Sequence, residues 1–342
     1  MVKTITQWLA LIGLAFFITA CSEHEVPVKP SVVIEGQTMG TYYKIKVVGE
    51  TLTDAKALQQ EVDKRLELVN EQMSTYRSHS ELSRFNQAEQ SLTVSADTIK
   101  VVQEGIRLAK LTDGALDITL GPLVNLWGFG PDDRPNKIPS EIQIAERKKI
   151  TGVEHLSVNG LTLNKAIAEL YVDLSSIAKG YGVDVLVDYL DALGEHNYLV
   201  DVGGELRVKG LNDKGLPWRI AIEKPVDTER AIQQIITPGT NAIATSGDYR
   251  NYYQDNGVRF SHMINPATGK PINHKLVSVT VIDPFAMTAD GLATALMVMG
   301  PEIGYDFARE QGIPVFMITK TETGFKEQYT QQFEQYLLPE AK

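Results

Sequence analysis

The 342-residue chain has little cysteine and no excess of basic charge. Its single cysteine, Cys21, excludes an intramolecular disulfide, so the core must be held together by burial alone. The 43 acidic side chains outnumber the 33 basic ones, the formal net charge is −10, and no basic cluster occurs. This charge distribution argues against a nucleic-acid partner, because such proteins concentrate Lys and Arg on one face.

The common nucleotide-binding fingerprints are also missing. The chain has no GxGxxG segment, and Gly269-Lys270 is followed by Pro271 without a P-loop glycine upstream. The one strongly apolar run, Leu9 to Ile18, is too short to span a bilayer as a helix. No other segment is long and apolar enough to cross a membrane.

The N-terminus is similar to a bacterial lipoprotein precursor. Lys3 supplies a positive charge, an apolar region follows, and small residues directly precede Cys21. A lone cysteine can be a buried thiol, a nucleophile or a lipid attachment point, and its place after a signal-type segment favours the third.

This resemblance predicts a signal peptide over 1–20, acylation of Cys21, a tether over 21–31 and one folded domain over 32–342. The mature protein is then expected to be a membrane-anchored lipoprotein that faces the periplasm. Ser22 after the cysteine favours the outer membrane over the inner one.

Periodic apolar residues predict both helices and strands. Alternation over Thr41–Val48 predicts a half-buried strand, whereas helical spacing predicts helices over Leu58–Met73, from Ser95 to Asp113-Gly114, and over Thr288–Met299. Glycine and aromatic residues over 121–130 predict an irregular loop. Since helices and strands do not alternate strictly, the sequence favours an α+β fold, a mixed sheet with packed helices, over a doubly wound sheet.

The most informative segment, Tyr171–Gly182, is predicted to be a strand-to-helix junction in which Ser175-Ser176 opens the helix. A helix N-terminus has free N–H groups that suit a phosphate, but Asp and Ser also cap helices without any further role. Ser176 and Lys179 also fit the S-x-x-K motif of serine acylases. That interpretation is disfavoured because the companion K-T-G motif is absent.

Two further clusters carry polar side chains with possible chemistry. Asp290 and Thr294 are four residues apart at a predicted helix start, so their oxygens share one face and form an incomplete site for Mg²⁺. The alternative is that Asp290 only complements the helix dipole. His262 precedes a turn at Asn265-Pro266 and is a candidate general base, although a structural histidine is the more common case.

Taken together, these segments resemble the FAD:protein FMN transferase (ApbE) family. The matching segments follow the family order over nearly all of the mature chain: Gln37–Thr41, Met73–Tyr76, Ser83–Asn86, Asp113–Thr119, Gly121–Gly130, Asp173–Gly182, Thr245–Tyr252, His262–Gly269 and Ala289–Gly291. The resemblance implies an α+β architecture of the ApbE type, related to the T-fold.

The resemblance also implies an activity, which is Mg²⁺-dependent transfer of FMN from FAD to a threonine hydroxyl of a partner protein, with release of AMP. The partners implied are flavin-carrying subunits of sodium-pumping NADH:quinone reductase (Nqr) and of Rnf electron-transport complexes. The alternative is a periplasmic FAD pyrophosphatase, or a flavin-binding lipoprotein without a protein acceptor.

The family's functional positions imply roles for particular residues here. The residues expected to contact FAD are Met39, Tyr76, Ala115, Leu116, Asp117, Asp173, Lys179 and Ile264. Ser176, Asp290 and Thr294 are expected to surround Mg²⁺. His262 is the expected proton acceptor for the threonine hydroxyl, with Asp290 as the competing candidate.

Overall fold

The structure is a computed structural model that describes residues 28–49, 54–131, 138–225, 231–247, 252–255 and 258–338. The predicted signal peptide, Cys21 and most of the tether lie outside these ranges, and so do residues 248–251 of the Thr245–Tyr252 segment. The helices are α1 (Ala55–Met73), α2 (Glu81–Gln87), α3 (Ala96–Leu111), α4 (Gly121–Leu126), α5 (Glu141–Lys148), α6 (Ala178–Ala192), α7 (Ala286–Met299) and α8 (Pro301–Glu310).

The strands are numbered in chain order. They are β1 (Ser31–Thr38), β2 (Thr41–Val48), β3 (Ser91–Thr93), β4 (Leu156–Asn159), β5 (Thr162–Lys165), β6 (Tyr198–Val202), β7 (Glu205–Lys209), β8 (Ile220–Glu223), β9 (Ile232–Ile236), β10 (Ala242–Gly247), β11 (Tyr252–Asp255), β12 (Val258–Ser261), β13 (Ile264–Asn265), β14 (Lys270–Pro271), β15 (Leu276–Asp283), β16 (Val315–Thr321) and β17 (Gly324–Tyr329).

An eight-stranded sheet organises the described chain, in the order β1-β2-β6-β7-β10-β15-β16-β17. Every neighbouring pair is antiparallel. The α+β class predicted from the sequence is confirmed, but the strand directions are more uniform than in the mixed sheet that was expected. The reason is that tight turns join β1 to β2, β6 to β7 and β16 to β17, and such turns join antiparallel strands.

The sheet is covered on both faces. On one face, apolar residues of α1, α6 and α7 pack against its strands, as in the cluster of Leu66, Val187 and Tyr198. On the other face, the hairpin β8–β9 and a 3₁₀ turn at Gln331–Tyr336 bury Trp218 and Phe333 against β15 and β16. Burial of apolar surface in these layers is the main stabilising contribution to the fold.

Several predicted elements agree with the structure. The strand over Thr41–Val48 buries alternate side chains, with Tyr43 and Ile45 both at 0% exposure. Asp54 caps the start of α1. As expected, Ser95 caps α3, because its side chain accepts a hydrogen bond from the N–H of Thr98. The irregular loop predicted over 121–130 was wrong in its first half, since Pro122 lies at the beginning of α4, where its missing N–H is no disadvantage.

No helix in the described ranges combines the length and apolar character that are needed to cross a bilayer.

Candidate active site

One cavity of about 710 Å³ brings together all the residues that the sequence singled out for chemistry. Its walls come from the β1–β2 turn, the loop after α3, the segment before α6, the end of β10, the segment after β12 and one face of α7. The predicted residues that line it are Met39, Tyr76, Ala115, Leu116, Asp117, Asp173, Ser176, Lys179, His262, Ile264, Asp290 and Thr294. Residues as far apart in the chain as Met39 and Thr294 therefore meet at one place.

Helices α6 and α7 form the floor of the cavity and cap each other. Neither helix has a local side-chain cap. Instead, the backbone N–H of Gly180 in α6 donates to Oδ2 of Asp290 at 3.0 Å. In return, Asp184 of α6 accepts from the N–H groups of Ala286 and Met287 of α7, both at 2.9 Å. Each helix therefore satisfies donors that the other leaves free, which fixes Asp290 relative to α6.

This arrangement corrects two predictions. The helix expected to open at Ser175-Ser176 begins at Ala178, and a turn occupies 175–177 because Oδ1 of Asp173 accepts from the N–H of Ser175 at 2.9 Å. The run before Asp173 is not a strand, since residues 166–169 form a bend and a turn. The N–H groups of Ile177 and Ala178 bond to the carbonyl of Leu174, so fewer donors remain for a phosphate than the sequence suggested.

Asp290 also lies further into its helix than expected. The helix α7 begins at Ala286, and its first turn contains no acidic residue, so Asp290 does not act by complementing that helix's dipole. The expectation that Asp290 and Thr294 share one face holds, because both line the cavity. The hydroxyl of Thr294 lies 3.4 Å from that of Ser246 at the end of β10.

The close crossing of α6 and α7 depends on Gly180. A Cβ at this position would lie 2.3 Å from the carbonyl oxygen of Ala286, which is backbone and unable to move aside. We expect Gly180→Ala to lower the free energy of unfolding by about 1–3 kcal/mol in urea titrations, because the two helices must separate. Gly105→Ala in α3 is the control, since its Cβ would meet only side-chain atoms of Ile118. Equal stability losses in the two variants would contradict this account.

Charged side chains concentrate beside Asp290. Lys179 forms an ion pair with Glu205, whose side chain is almost completely buried. Burial, followed by the charge of Glu205, raises the pKa of Asp290 to about 8, while Lys179 and the N–H of Gly180 act in the opposite direction. Burial lowers the pKa of Lys179, but the negative charges of Glu205 and Asp290 have the larger, opposite effect. The pKa of Lys179 is therefore raised above its ordinary value.

Aromatic and flexible groups also line the cavity. Tyr76 is 69% exposed, and its hydroxyl donates to the carbonyl of Phe129 at 3.2 Å. Burial raises the pKa of the Asp173 carboxyl. Met39 adopts a positive φ of 49° at the turn between β1 and β2. An exposed tyrosine beside an apolar wall suits the face of a planar ring.

The loop after α3 contributes Ala115, Leu116 and Asp117. One oxygen of Asp117 accepts from both the N–H and the hydroxyl of Thr119, at 2.8 and 2.6 Å. Burial raises the pKa of Asp117 even though these bonds lower it. The Asp117 carboxylate therefore stabilises its own loop by hydrogen bonds and also lines the cavity.

His262 lies in the segment between β12 and β13 at the cavity wall. Its ring meets the ring of Phe129 edge-on, with centroids 6.4 Å apart. The turn predicted after it is present, because the N–H of Gly269 donates to the carbonyl of Asn265 at 2.7 Å. Beside it, Ile264 is buried among residues that include Leu123 and Trp127. These contacts hold the imidazole at the cavity rather than in the core.

Sequence reasoning missed Glu205. This residue lines the cavity with 2% exposure, and its position follows from the turn at Gly203-Gly204, where both glycines have positive φ. An acidic residue directly after two glycines that break a strand was the available signal. Phe129 and Ser246 also line the cavity; they lay inside segments that were noted but were not given roles.

The donors around Asp290 fit a cation that needs few protein ligands. Among the residues that the structure describes, no group of three or more His, Cys, Asp or Glu side chains is arranged to hold a metal ion. The cavity offers the Asp290 carboxylate with the hydroxyls of Ser176 and Thr294. Mg²⁺ commonly binds one or two carboxylates and completes its shell with water and substrate phosphates, so this set fits it.

Comparison with known proteins gives a consistent result. Residues 39–317 match the model of the ApbE family. A FAD:protein FMN transferase of Vibrio cholerae serotype O1 is 55% identical over 334 residues, which cover 97% of this chain and 99% of that protein. The enzyme of the same name from Escherichia coli K12 is 43% identical over 343 residues, with 97% of each chain covered.

A solved structure agrees with these sequence matches. The flavin transferase ApbE from Vibrio cholerae superimposes with a TM-score of 0.84 at 57% sequence identity, covering 90% of this chain and 100% of that one. The family match over residues 39–317 includes every residue that lines the cavity.

Proposed function

This chain belongs to the ApbE family of flavin transferases, and we propose that it moves FMN from FAD onto a threonine hydroxyl of a partner protein. The reaction is proposed to require Mg²⁺ and to release AMP. The observation that carries the proposal is the convergence of His262, Asp290, Thr294 and the Lys179–Glu205 pair on one cavity that is also lined by Tyr76 and Phe129. The cavity therefore contains groups that can accept a proton, bind a cation and stack on a planar ring.

The chemistry proposed for this cavity is phosphoryl transfer. The threonine oxygen forms a bond to the FMN-side phosphorus, the bridging P–O bond of the pyrophosphate breaks, and AMP leaves with the bridging oxygen. Such reactions ask a protein mainly for positioning and for neutralisation of charge. His262 would accept the proton of the threonine hydroxyl, because its ring is held at the cavity wall by Phe129.

The acidic side of the cavity would hold the cation. Asp290, Ser176 and Thr294 are the proposed donors, and bound Mg²⁺ would neutralise charge on the pyrophosphate oxygens. The N–H of Gly180 fixes Oδ2 of Asp290, so the carboxylate is oriented before any ligand arrives. The wall formed by Met39, Tyr76 and Phe129 would receive the isoalloxazine or adenine ring.

The discriminating experiment incubates the protein with FAD, Mg²⁺ and a threonine-containing acceptor domain. We expect flavin fluorescence on the acceptor band in a denaturing gel and one AMP for each flavin transferred. The control is an acceptor with valine in place of the threonine. Release of free FMN and AMP without labelling would support the FAD pyrophosphatase instead, and recovery of intact FAD would support a flavin-binding protein.

The setting of the reaction is likewise a proposal. We propose that the acceptors are flavin-carrying subunits of Nqr or Rnf complexes, and that acylated Cys21 anchors the enzyme to a membrane facing the periplasm. The predicted tether over 21–31 ends one residue late, since residues 28–30 are exposed but Ser31 already begins β1. Retention of a Cys21→Ala variant in the membrane fraction would contradict the anchor.

A further inference from the structure

The side chain of Glu205 poses a problem that the proposed reaction does not resolve. Its Oε1 pairs with Lys179, whereas Oε2 is buried without a hydrogen-bond partner in the described part of the molecule. The residue is 2% exposed and lines the cavity. A buried carboxylate oxygen without a partner is costly, so the charge of Glu205 calls for a role in the cavity.

Lys179 connects Glu205 to the proposed cation site. Its ammonium group is attracted by Glu205, by Asp290 and, more weakly, by Asp201. An ammonium group beside Asp290 would repel a divalent cation and compete with it for the carboxylate. In the structure the hydrogen bond of Lys179 goes to Glu205, while the side chain of Asp290 accepts from Gly180. Glu205 therefore neutralises the charge of Lys179, so the negative charge of Asp290 remains available to bind a cation.

The turn that carries Glu205 is closely packed against the cavity. A Cβ on Gly203 would lie 2.6 Å from Cγ2 of Thr41, so the β6–β7 turn lies directly against the β1–β2 turn. The N–H of Gly204 donates to Oδ1 of Asp201 at 2.9 Å and closes the turn. The backbone of Glu205 is thus positioned by turn contacts that do not involve Lys179.

We propose that Glu205 is a positioning residue that sets the divalent-cation affinity of the Asp290 site by holding Lys179 away from Asp290, without binding the cation itself. This inference rests on the proposed function, because it assumes that Asp290 binds the cation. It assigns opposite effects to the two members of one ion pair: Glu205 favours cation binding and Lys179 opposes it.

The test measures binding of Mn²⁺, as a probe for Mg²⁺, by electron paramagnetic resonance of the free ion, without FAD or acceptor. We expect Glu205→Gln to weaken Mn²⁺ binding about tenfold or more, because the released ammonium group turns to Asp290. Lys179→Met should tighten binding several-fold. The Mn²⁺ affinity of the double variant should lie within about threefold of that of the original protein. Without Lys179 there is no ammonium group for Glu205 to hold away from Asp290.

The matched control is the ion pair of Lys209 and Asp191, at 2.9 Å and outside the cavity. Lys209→Met and Asp191→Asn should leave Mn²⁺ binding unchanged. If Glu205→Gln alone proves too unstable to purify, the double variant decides the matter: binding within about threefold of the original protein supports the inference, and binding about tenfold weaker contradicts it.

The outcomes separate the inference from the proposed function. A double variant that binds as weakly as Glu205→Gln would show that Glu205 is itself a ligand and would overturn the inference alone. Unchanged binding in Lys179→Met would also overturn it. Failure of the original protein to bind Mn²⁺ would overturn the proposed metal site, and this inference with it.

Discussion

Replacing Asp290 with asparagine is expected to lower the rate of FMN transfer by about three orders of magnitude, the effect of losing several kcal/mol of charge stabilisation. The carboxylate is 4% exposed, and no other acid is on the same face of α7 toward Thr294. Asparagine has nearly the same shape and can still accept from the N–H of Gly180, so the crossing of α6 and α7 should persist. The loss should therefore lie in turnover and in the response to Mg²⁺.

The measurement is AMP release and acceptor fluorescence over a range of Mg²⁺ concentrations, together with a melting curve. Asp283→Asn is the control, because this half-buried acid accepts from the N–H of Phe285 at the end of β15 and does not line the cavity. Transfer by Asp290→Asn at more than a tenth of the original rate would contradict the prediction. Transfer by the original protein in excess EDTA would contradict the metal requirement as a whole.

Replacing His262 with alanine is expected to reduce transfer by about 10²–10⁴-fold while FAD binding is retained. The threonine hydroxyl needs a proton acceptor, and the imidazole lies at the cavity wall against Phe129. Asp290 is the competing candidate, and burial together with the charge of Glu205 raises the pKa of its carboxyl. When the Asp290 carboxylate binds Mg²⁺, it is a weaker base, and this favours His262 as the acceptor of the threonine proton.

This prediction is checked by single-turnover transfer at saturating FAD, with FAD affinity measured separately by fluorescence. His79→Ala is the matched control, since His79 lies on the surface beside Glu71, away from the cavity. A full transfer rate in His262→Ala would move the role of base to another group. A loss of FAD affinity equal to the loss of rate would make His262 a binding residue instead.

Much of the fold was predictable because the apolar pattern and the local caps agree. Residues Leu58 to Met73 give one buried face, and Asp54 supplies the cap of that helix within its own turn. The same holds for Ser95 and α3. Where a helix and its cap are neighbours in the chain, the sequence contains the information about where the helix begins.

The start of α6 was misplaced for the opposite reason. Ser175 and Ser176 have the chemistry of a cap, but Asp173 holds them in a turn, and the donor of Gly180 is satisfied by Asp290, 110 positions further along the chain. The start of α7 is likewise capped by Asp184, 102 positions earlier. Caps supplied by a distant helix leave no local pattern, so periodicity cannot locate them.

Glu205 was missed for a related reason. The two glycines before it were the only local signal, and they do not show that the fold places Glu205 beside Lys179 and Asp290. Its buried oxygen and its effect on the pKa of Asp290 are both properties of tertiary contact. Hydrophobic periodicity, by contrast, reports only on neighbours within one element.

The sequence by itself determined the α+β class, the family and most of the polar residues that line the cavity, because side-chain type and order along the chain are sufficient for each. The tertiary structure decided how those residues act on one another. It decided that α6 and α7 cap each other across Gly180, that Asp290 is a cavity group rather than a helix-dipole residue, and that Lys179 is balanced by Glu205. Charge and hydrogen-bond interactions depend on distance in space, and the packed sheet and helices set that distance.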